Sequence, residues 1–271
     1  MRWRAVLTAI GCAGLLAAPT LQAQWITYPT PNVPRKADGT PNLDARAPRT
    51  RDGHPDLSGM WQPEQNIPCP KDGCPDNPMG QQFLDLGWGV QGGLPYRPET
   101  AALVKQRSAS NGKDDPTSRC LPGGIVKMHT GPFFNKIVQT PSELIVLNER
   151  EVTYRQIFTD GRPLPEDPQP TWKGYSVGHW EGDTLVVTSN GFRDGIWLDR
   201  KGSPLSEGAT MVERITRPTY GQMRVQITIT DLKAYTAPFT VTLNEFVVLD
   251  KELIDFVCLE NNKDEAHLVG M

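Results

Sequence analysis

The sequence predicts an all-β protein in which an antiparallel meander closes into a barrel. Short runs rich in Val, Ile, Thr and Phe follow one another from residue 134 onward. Turn residues such as Pro-Ser, Asp-Gly and Glu-Gly separate these runs by hairpin-sized gaps, which favours sequential antiparallel strands. A meander of this length leaves two strand edges open unless it closes, and a barrel removes both edges.

The first 23 residues have the pattern of a signal peptide. A basic start, MRWR, precedes a short apolar run and a small residue, Ala23, at a plausible cleavage site. Removing Arg2 and Arg4 changes the formal net charge from −3 to −5. An acidic chain without a basic run disfavours nucleic-acid binding, and no later stretch looks transmembrane. We therefore expect a secreted protein of the bacterial periplasm.

Residues 24–57 predict an extended, Pro-rich arm. Within it, 35-RKADGTPNLDA-45 and 49-RTRDGHPDLSG-59 form a repeat, each copy combining a turn with one apolar anchor. Residues 58–271 are then a single barrel domain, interrupted at about 62–133 by a loop-rich insertion. A short helix is expected at 98–109, where proline and glutamate suit the first turn.

The strands of the meander follow from β-rich runs between turns. The predicted strands are 135–140, 143–149, 152–159, 174–180, 183–189, 209–217, 222–230, 239–249 and a tail strand at 253–258.

The stretch 178-GHWEGDTLVV-187 illustrates the hairpins. Gly182 supplies the positive φ of the turn, so Glu181 and Asp183 are interpreted as exposed turn acids, with catalysis as the alternative. Alternation along the first strand then places Tyr175 and His179 on the same face.

Four cysteines follow the predicted cleavage site, which indicates two disulfides in an oxidising compartment. Three pairings are possible. Pairing Cys69 with Cys74 closes the tight loop CPKDGC and leaves Cys120 to pair with Cys258, and this is the pairing we expect.

Several residues are candidates for chemistry. His129 lies where the insertion meets the barrel, and His179 lies at a strand end beside a turn. Glu213 would be a buried acid with a raised pKa if it points inward, whereas an outward Glu213 is an ordinary surface residue. The predicted catalytic residues are His179, His129, Glu213 and Tyr175, and the predicted substrate-binding residues are Trp88, Arg155 and Trp180.

Cofactor motifs are missing from the sequence. It has no HxH, HxxxH or HExxH spacing, no phosphate-binding loop, no dinucleotide fingerprint and no GxSxG elbow. We expect neither a metal nor another cofactor, although metal ligands distant in sequence can still converge in space.

Two resemblances add to this interpretation. Gly59-x-Trp61 followed by a meander resembles the calycin or lipocalin barrel, although the TDY triplet of that group is replaced by 159-TDG-161. The blocks DGHPDLSGMW and GYSVGHWEGDTLVV are similar to a largely uncharacterised family of secreted proteins from environmental bacteria. The resemblance implies secretion and one β-rich domain.

The sequence therefore favours a secreted enzyme that performs cofactor-free acid/base chemistry on a small, partly apolar molecule in the barrel mouth. Hydrolysis, elimination, isomerisation and cyclisation, the work of a hydrolase, lyase or isomerase, all fit. The alternative is a non-catalytic periplasmic binding protein of lipocalin-like fold. A third hypothesis is an envelope protein that binds a partner through its arm.

Overall fold

The structure is a computed structural model that describes residues 28–65, 80–150, 153–258 and 260. Nine strands form a closed barrel, which confirms the predicted fold class. The barrel strands are β1 (Gly59–Pro63), β2 (Asn135–Gln139), β3 (Glu143–Asn148), β4 (Thr153–Phe158), β5 (Tyr175–Glu181), β6 (Thr184–Asn190), β9 (Thr210–Thr216), β10 (Gln222–Thr230) and β11 (Phe239–Val247). A separate hairpin of β7 (Ile196–Trp197) and β8 (Pro204–Leu205) lies between β6 and β9 in the chain.

The strands follow the predicted sequential order with one exception in direction. The order around the barrel is β1-β11-β10-β9-β6-β5-β4-β3-β2, and β1 closes it by pairing with β2. Every neighbouring pair is antiparallel except β4 and β5, which run parallel. The expectation of a wholly antiparallel meander is therefore wrong at this pair, because the connection at 159–174 is long enough to return the chain to the starting end.

The short strand β1 closes the barrel around a tryptophan. Trp61 pairs with Val247 of β11 on one side and with Asn135 of β2 on the other. Its indole is fully buried and donates a hydrogen bond to the Leu57 carbonyl at 2.9 Å. The Arg217 guanidinium lies 4.8 Å from the ring centroid on its face.

The core follows from strand alternation. On β10 the residues Met223, Val225, Ile227 and Ile229 are buried while those between them face outward. Burying each such side chain contributes roughly 1.5–3 kcal/mol. The same alternation on β4, β9 and β11 carries charged residues inward, and these form the interior site described below.

The described part of the insertion beyond residue 80 contains short helices. They are α1 (Gln81–Leu84), α2 (Pro98–Ala109), a 3₁₀ helix (Pro116–Arg119) and α3 (Gly124–Met128). Helix α2 has the predicted bounds and begins with proline. Within the described ranges, none of the helices is long and apolar enough to cross a membrane.

The two repeats of the arm adopt the same turn. Arg35 donates to the Gly39 carbonyl at 2.8 Å, and Arg49 donates to the Gly53 carbonyl at 2.6 Å. Both glycines have positive φ. Only the second copy binds a carboxylate within the described part of the chain: Arg49 forms two hydrogen bonds with Asp183, at 2.8 and 2.6 Å.

A disulfide joins Cys120 to Cys258 across 138 residues, as predicted. The predicted Cys69–Cys74 pair lies outside the described residues. The predicted tail strand at 253–258 is wrong, since this segment has no strand structure. A closed barrel explains the difference: β11 is already paired with both β10 and β1, so it has no edge for another strand.

Candidate functional site

The parallel seam between β4 and β5 is the weakest contact in the barrel wall. Only Phe158 and Val177 are paired across it, whereas the antiparallel pairs on either side run the length of the strands. Elsewhere along the seam the two strands diverge, and a groove forms on the surface between them. We call it the seam groove.

The seam groove combines aromatic walls with a polar floor. Its volume is about 370 Å³, within the usual range of small-molecule sites. The rings of Phe158 and Tyr175 lie 5.3 Å apart, and Arg162 donates to the Tyr175 hydroxyl at 3.2 Å. The lining residues are Pro122, Thr153, Tyr154, Arg155, Gln156, Phe158, Thr171, Trp172, Lys173, Gly174, Tyr175 and Ser176.

Arg155 on the groove floor is also the outer member of a buried ion pair. Its guanidinium binds Glu213 of β9 through both terminal nitrogens, with Nη1 to Oε1 at 2.9 Å. It also donates to the Ser176 and Ser189 hydroxyls, each at 3.1 Å from Nη2. Arg155 and Glu213 are 3% and 0% exposed, so this ion pair lies inside the barrel.

His129 extends the network across the barrel interior. It caps the C-terminus of α3, and its Nδ1 contacts the Glu245 carboxylate of β11. Its Nε2 lies 3.4 Å from Glu213 Oε1, without the geometry of a hydrogen bond. Asn135 fixes the end of α3 by donating to the Met128 carbonyl at 2.7 Å. We call Arg155, Glu213, His129 and Glu245 the interior ion cluster.

Two members of the interior ion cluster, His129 and Glu213, have pKa values shifted toward their charged forms. Burial lowers the pKa of His129, but the negative charges of Glu245 and Glu213 outweigh it and raise this pKa to about 9. Burial raises the pKa of Glu213, but the Arg155 and His129 charges outweigh it and lower this pKa to about 2. The expected raised pKa of an inward Glu213 is therefore wrong, because the buried acid has two cationic partners.

A small cavity lies at the other end of the cluster. It has a volume of about 10 Å³, too small for anything larger than a water molecule. His129 Nε2 and Glu245 Oε2 are buried and have no hydrogen-bond partner in the described part of the chain. The residues around the cavity are Glu64, Gly80, Gln82, Phe83, His129, Thr130, Leu243 and Asn244.

Four of the predicted site residues lie in these two connected regions. His129, Glu213 and Arg155 belong to the interior ion cluster, and Tyr175 lines the seam groove. The expectation that His179 faces the same pocket as His129 is wrong. Its side chain is 64% exposed and lies 3.3 Å from Glu181 on the outside of the barrel.

The physical reason is the phase of the alternation on β5. The two faces of this strand are assigned as predicted, but the inner face is the one that carries Ser176, Gly178 and Trp180. The inward Gly178 leaves room for the side chains of Ile157 and Leu185 on the two neighbouring strands, β4 and β6.

The two predicted tryptophans of the site also lie elsewhere. Trp88 is 55% exposed on the glycine-rich loop and lines neither the seam groove nor the small cavity. Trp180 packs against the core and stacks on His54 of the arm, with ring centroids 4.6 Å apart. It therefore serves to hold the arm against the barrel.

Glu181 and Asp183, the two acids of the turn, are exposed as predicted, and each pairs with an arginine. Gly182 has φ of 60°, confirming the positive value. Glu181 accepts from Arg214 at 3.0 Å, and Asp183 accepts from Arg49.

Sequence reasoning missed Glu245, Ser176, Ser189, Trp172 and Lys173. The signal for Glu245 was present in the sequence. In FTVTLNEF it occupies the fourth position of the inward alternation that begins with Phe239, where an apolar residue is expected. For the two serines no comparable signal exists, because small polar residues are common on both faces of a strand.

Comparison with known proteins adds no assignment. No family model matches the chain, and no curated protein is similar to it. Within the described residues, no group of three or more His, Cys, Asp or Glu side chains is arranged to hold a metal ion. The roles of the site residues therefore rest on their geometry.

Proposed function

We propose that the protein binds a small, partly apolar molecule in the seam groove. The observation that carries the proposal is the opening between β4 and β5, which exposes aromatic side chains beside buried polar ones. Such a combination is typical of small-molecule sites, where apolar walls provide contact area and a few polar groups fix orientation. Trp172 and Tyr175 supply the walls, and Arg155 and Ser176 supply the polar floor.

Both ring stacking and hydrogen bonding would contribute to the affinity for a ligand. The Tyr175 hydroxyl accepts a hydrogen bond from Arg162, which leaves its own proton to donate to a ligand. Arg155 has five N–H groups, and one of the two on Nη1 has no partner within the described ranges. A ring against Trp172 would leave its polar substituent free to accept a hydrogen bond from the Tyr175 hydroxyl.

The state of the interior ion cluster favours binding over proton transfer. An efficient general acid or base has a pKa near the working pH. The pKa of His129 is raised to about 9 and that of Glu213 is lowered to about 2, so both keep their charges at neutral pH. The cluster would then act by holding Arg155 in a fixed position beneath the groove.

Acid/base catalysis remains the second candidate function, on one specific observation. The Nε2 atom of His129 is buried beside the small cavity and makes no hydrogen bond with the described residues, although Glu213 Oε1 lies 3.4 Å away. For a catalytic role, replacing His129 by Gln should lower turnover of a substrate by about 10²–10⁴-fold. If the protein only binds its ligand, neither the wild type nor the His129→Gln variant should convert that ligand into a product.

We further propose that the protein is secreted into an oxidising compartment. The sequence predicts a signal peptide at 1–23, and the disulfide between Cys120 and Cys258 would persist only outside a reducing cytosol. Mass spectrometry of the protein from its native cell fraction should show cleavage after Ala23. An uncleaved chain in the cytosol would contradict the proposal.

The binding proposal is tested with a set of one-ring and two-ring compounds and amide NMR shifts of the mature protein. Binding in the seam groove should shift signals of 153–158 and 171–176. Replacing Trp172 by Ala should weaken binding by about tenfold, the scale of one ring stack and its buried area. The matched control is Trp88→Ala, which removes an exposed tryptophan outside the groove. Equal affinities for wild type and Trp172→Ala, or shifts confined to other regions, would disprove the site.

A further inference from the structure

We propose that a second groove of the protein binds an apolar amine. Its volume is about 450 Å³, within the usual range of small-molecule sites. It shares no lining residue with the seam groove, so the inference does not depend on the proposed function. We call it the tail groove. Its lining combines the apolar residues Tyr28, Phe134, Leu253 and Ile254 with the charged residues Glu149, Lys251 and Glu252.

The segment 251–254, which forms much of this lining, is fixed on both sides along the chain. On one side, Asp250 accepts from the Thr30 backbone N–H at 2.7 Å, and its own N–H donates to the Thr30 hydroxyl at 2.8 Å. On the other side, the disulfide holds Cys258. The tail groove therefore has a wall with defined anchor points, although the segment is not a strand.

Glu149 is the carboxylate of this lining that has no cationic partner among the described residues. It accepts a hydrogen bond from the Phe134 backbone N–H at 3.3 Å, and no nearby cation lowers its pKa. The other acid of the lining, Glu252, forms an ion pair with Lys136 at 2.6 Å. One negative charge of the groove is thus left for a ligand to neutralise.

The burial of Glu149 favours an ammonium group as its partner. The side chain is partly buried, and this burial raises the pKa of Glu149 above its usual value because one backbone hydrogen bond offsets only part of the lost hydration. A cation brought into contact would offset the rest. Lys251, the cation of the lining, is exposed and remains hydrated, so it has less to gain from a ligand carboxylate.

The apolar requirement comes from the other lining residues. Tyr28 is 52% exposed and Ile254 is 41% exposed, and Phe134 adds a further ring. Covering such side chains removes apolar area from water, which favours an apolar ligand. A simple ammonium ion would use Glu149 but leave these side chains exposed. The ligand class that uses both features carries one amine and one ring.

The experiment compares 2-phenylethylamine with three probes: the neutral alcohol 2-phenylethanol, the ringless cation ethylamine and the anion 3-phenylpropionate. Affinity is measured by titrating the amide NMR signals of 134, 149 and 251–254 in the mature wild-type protein, which separates this groove from other sites. We expect 2-phenylethylamine to bind about tenfold more tightly than the alcohol, the scale of a charge-assisted hydrogen bond. Ethylamine should bind more weakly because it lacks the ring, and 3-phenylpropionate because Glu149 repels it.

The variant Glu149→Gln tests the charge within the groove. It should lower the affinity for 2-phenylethylamine about tenfold, to the level of the alcohol, and leave the affinity for the alcohol unchanged. The matched control is Glu143→Gln, the same substitution at the other end of β3 and outside the groove. The wild-type comparison of amine with alcohol does not depend on whether the Glu149 variant folds.

Each failure identifies the part of the inference that is wrong. If the alcohol or 3-phenylpropionate binds as tightly as the amine, the ammonium requirement is overturned. If ethylamine binds as tightly, the ring requirement is overturned. If no probe shifts the signals, or if they shift with protein concentration alone because a second copy covers the groove, the site itself is overturned. The signals of the seam groove, at 153–158 and 171–176, report on the proposed function separately.

Discussion

Replacing His129 by Gln should be among the most destabilising single changes in this protein. The substitution removes the cation that lies between Glu245 and Glu213, and all three side chains are 6% exposed or less. It leaves Glu213 with Arg155 as its cation and removes the cation that Glu245 contacts. Breaking a buried ion pair by removing one partner typically costs about 3–5 kcal/mol, so we expect a loss of about 4 kcal/mol at pH 6.

The loss should depend on pH in a direction fixed by the histidine. The pKa of His129 is raised from 6.5 to about 9 in the folded protein. Its contribution to stability is therefore complete below pH 6.5 and is lost as the pH rises through 9. A rise of this size corresponds to roughly 3 kcal/mol. The free energies of unfolding of wild type and His129→Gln should thus differ most at pH 6 and approach each other near pH 10.

The assay is urea unfolding followed by circular dichroism at pH 6, 8 and 10. The matched control is His179→Gln, the same substitution at a histidine that is 64% exposed. Surface substitutions usually change stability by about 0.5 kcal/mol or less, so the control should track wild type at every pH. The reasoning is refuted if both variants lose similar small amounts, or if the His129 variant keeps a constant gap from wild type.

The remaining predictions concern the hairpin turn and the arm. Gly182→Val should destabilise by about 1–3 kcal/mol through backbone strain, since φ is 60° and nothing lies within 4 Å of the added Cβ. Gly208→Val, equally open but without positive φ, is its control in thermal unfolding. Arg49→Gln should lower the urea midpoint of unfolding slightly more than Arg35→Gln, because both lose a bond to a glycine carbonyl but only Arg49 binds Asp183. Equal losses within either pair of variants would contradict the corresponding explanation.

Much of the barrel could be predicted because its signals are local. Strand alternation and turn residues predicted the hairpins. Pro98 and the residues after it predicted helix α2. The parallel pair β4–β5 could not be predicted in the same way. Its direction depends on how the segment 159–174 crosses the end of the barrel, which no local pattern records.

The site was harder to predict than the fold because it depends on which face of each strand is inward. His179 and Ser176 lie on opposite faces of β5, and only the packing against neighbouring strands selects between them. The cluster residues His129, Glu213 and Arg155 were identified as chemically notable, but their convergence is a property of the closed barrel. Glu245, the residue that completes the cluster, is separated from His129 by 116 residues.

Because of the interior ion cluster, we place the proposed ligand at the barrel wall and not, as the sequence suggested, in the barrel mouth. A ligand inside the barrel would have to separate Arg155 from Glu213 or His129 from Glu245, and each broken buried pair costs about 3–5 kcal/mol. Few small molecules could replace the lost ionic contacts of both the cation and the carboxylate of a broken pair. A ligand in the seam groove leaves the cluster intact and meets only its outer member, Arg155. The same ions that fill the interior thus make the gap between β4 and β5 the favourable place to bind.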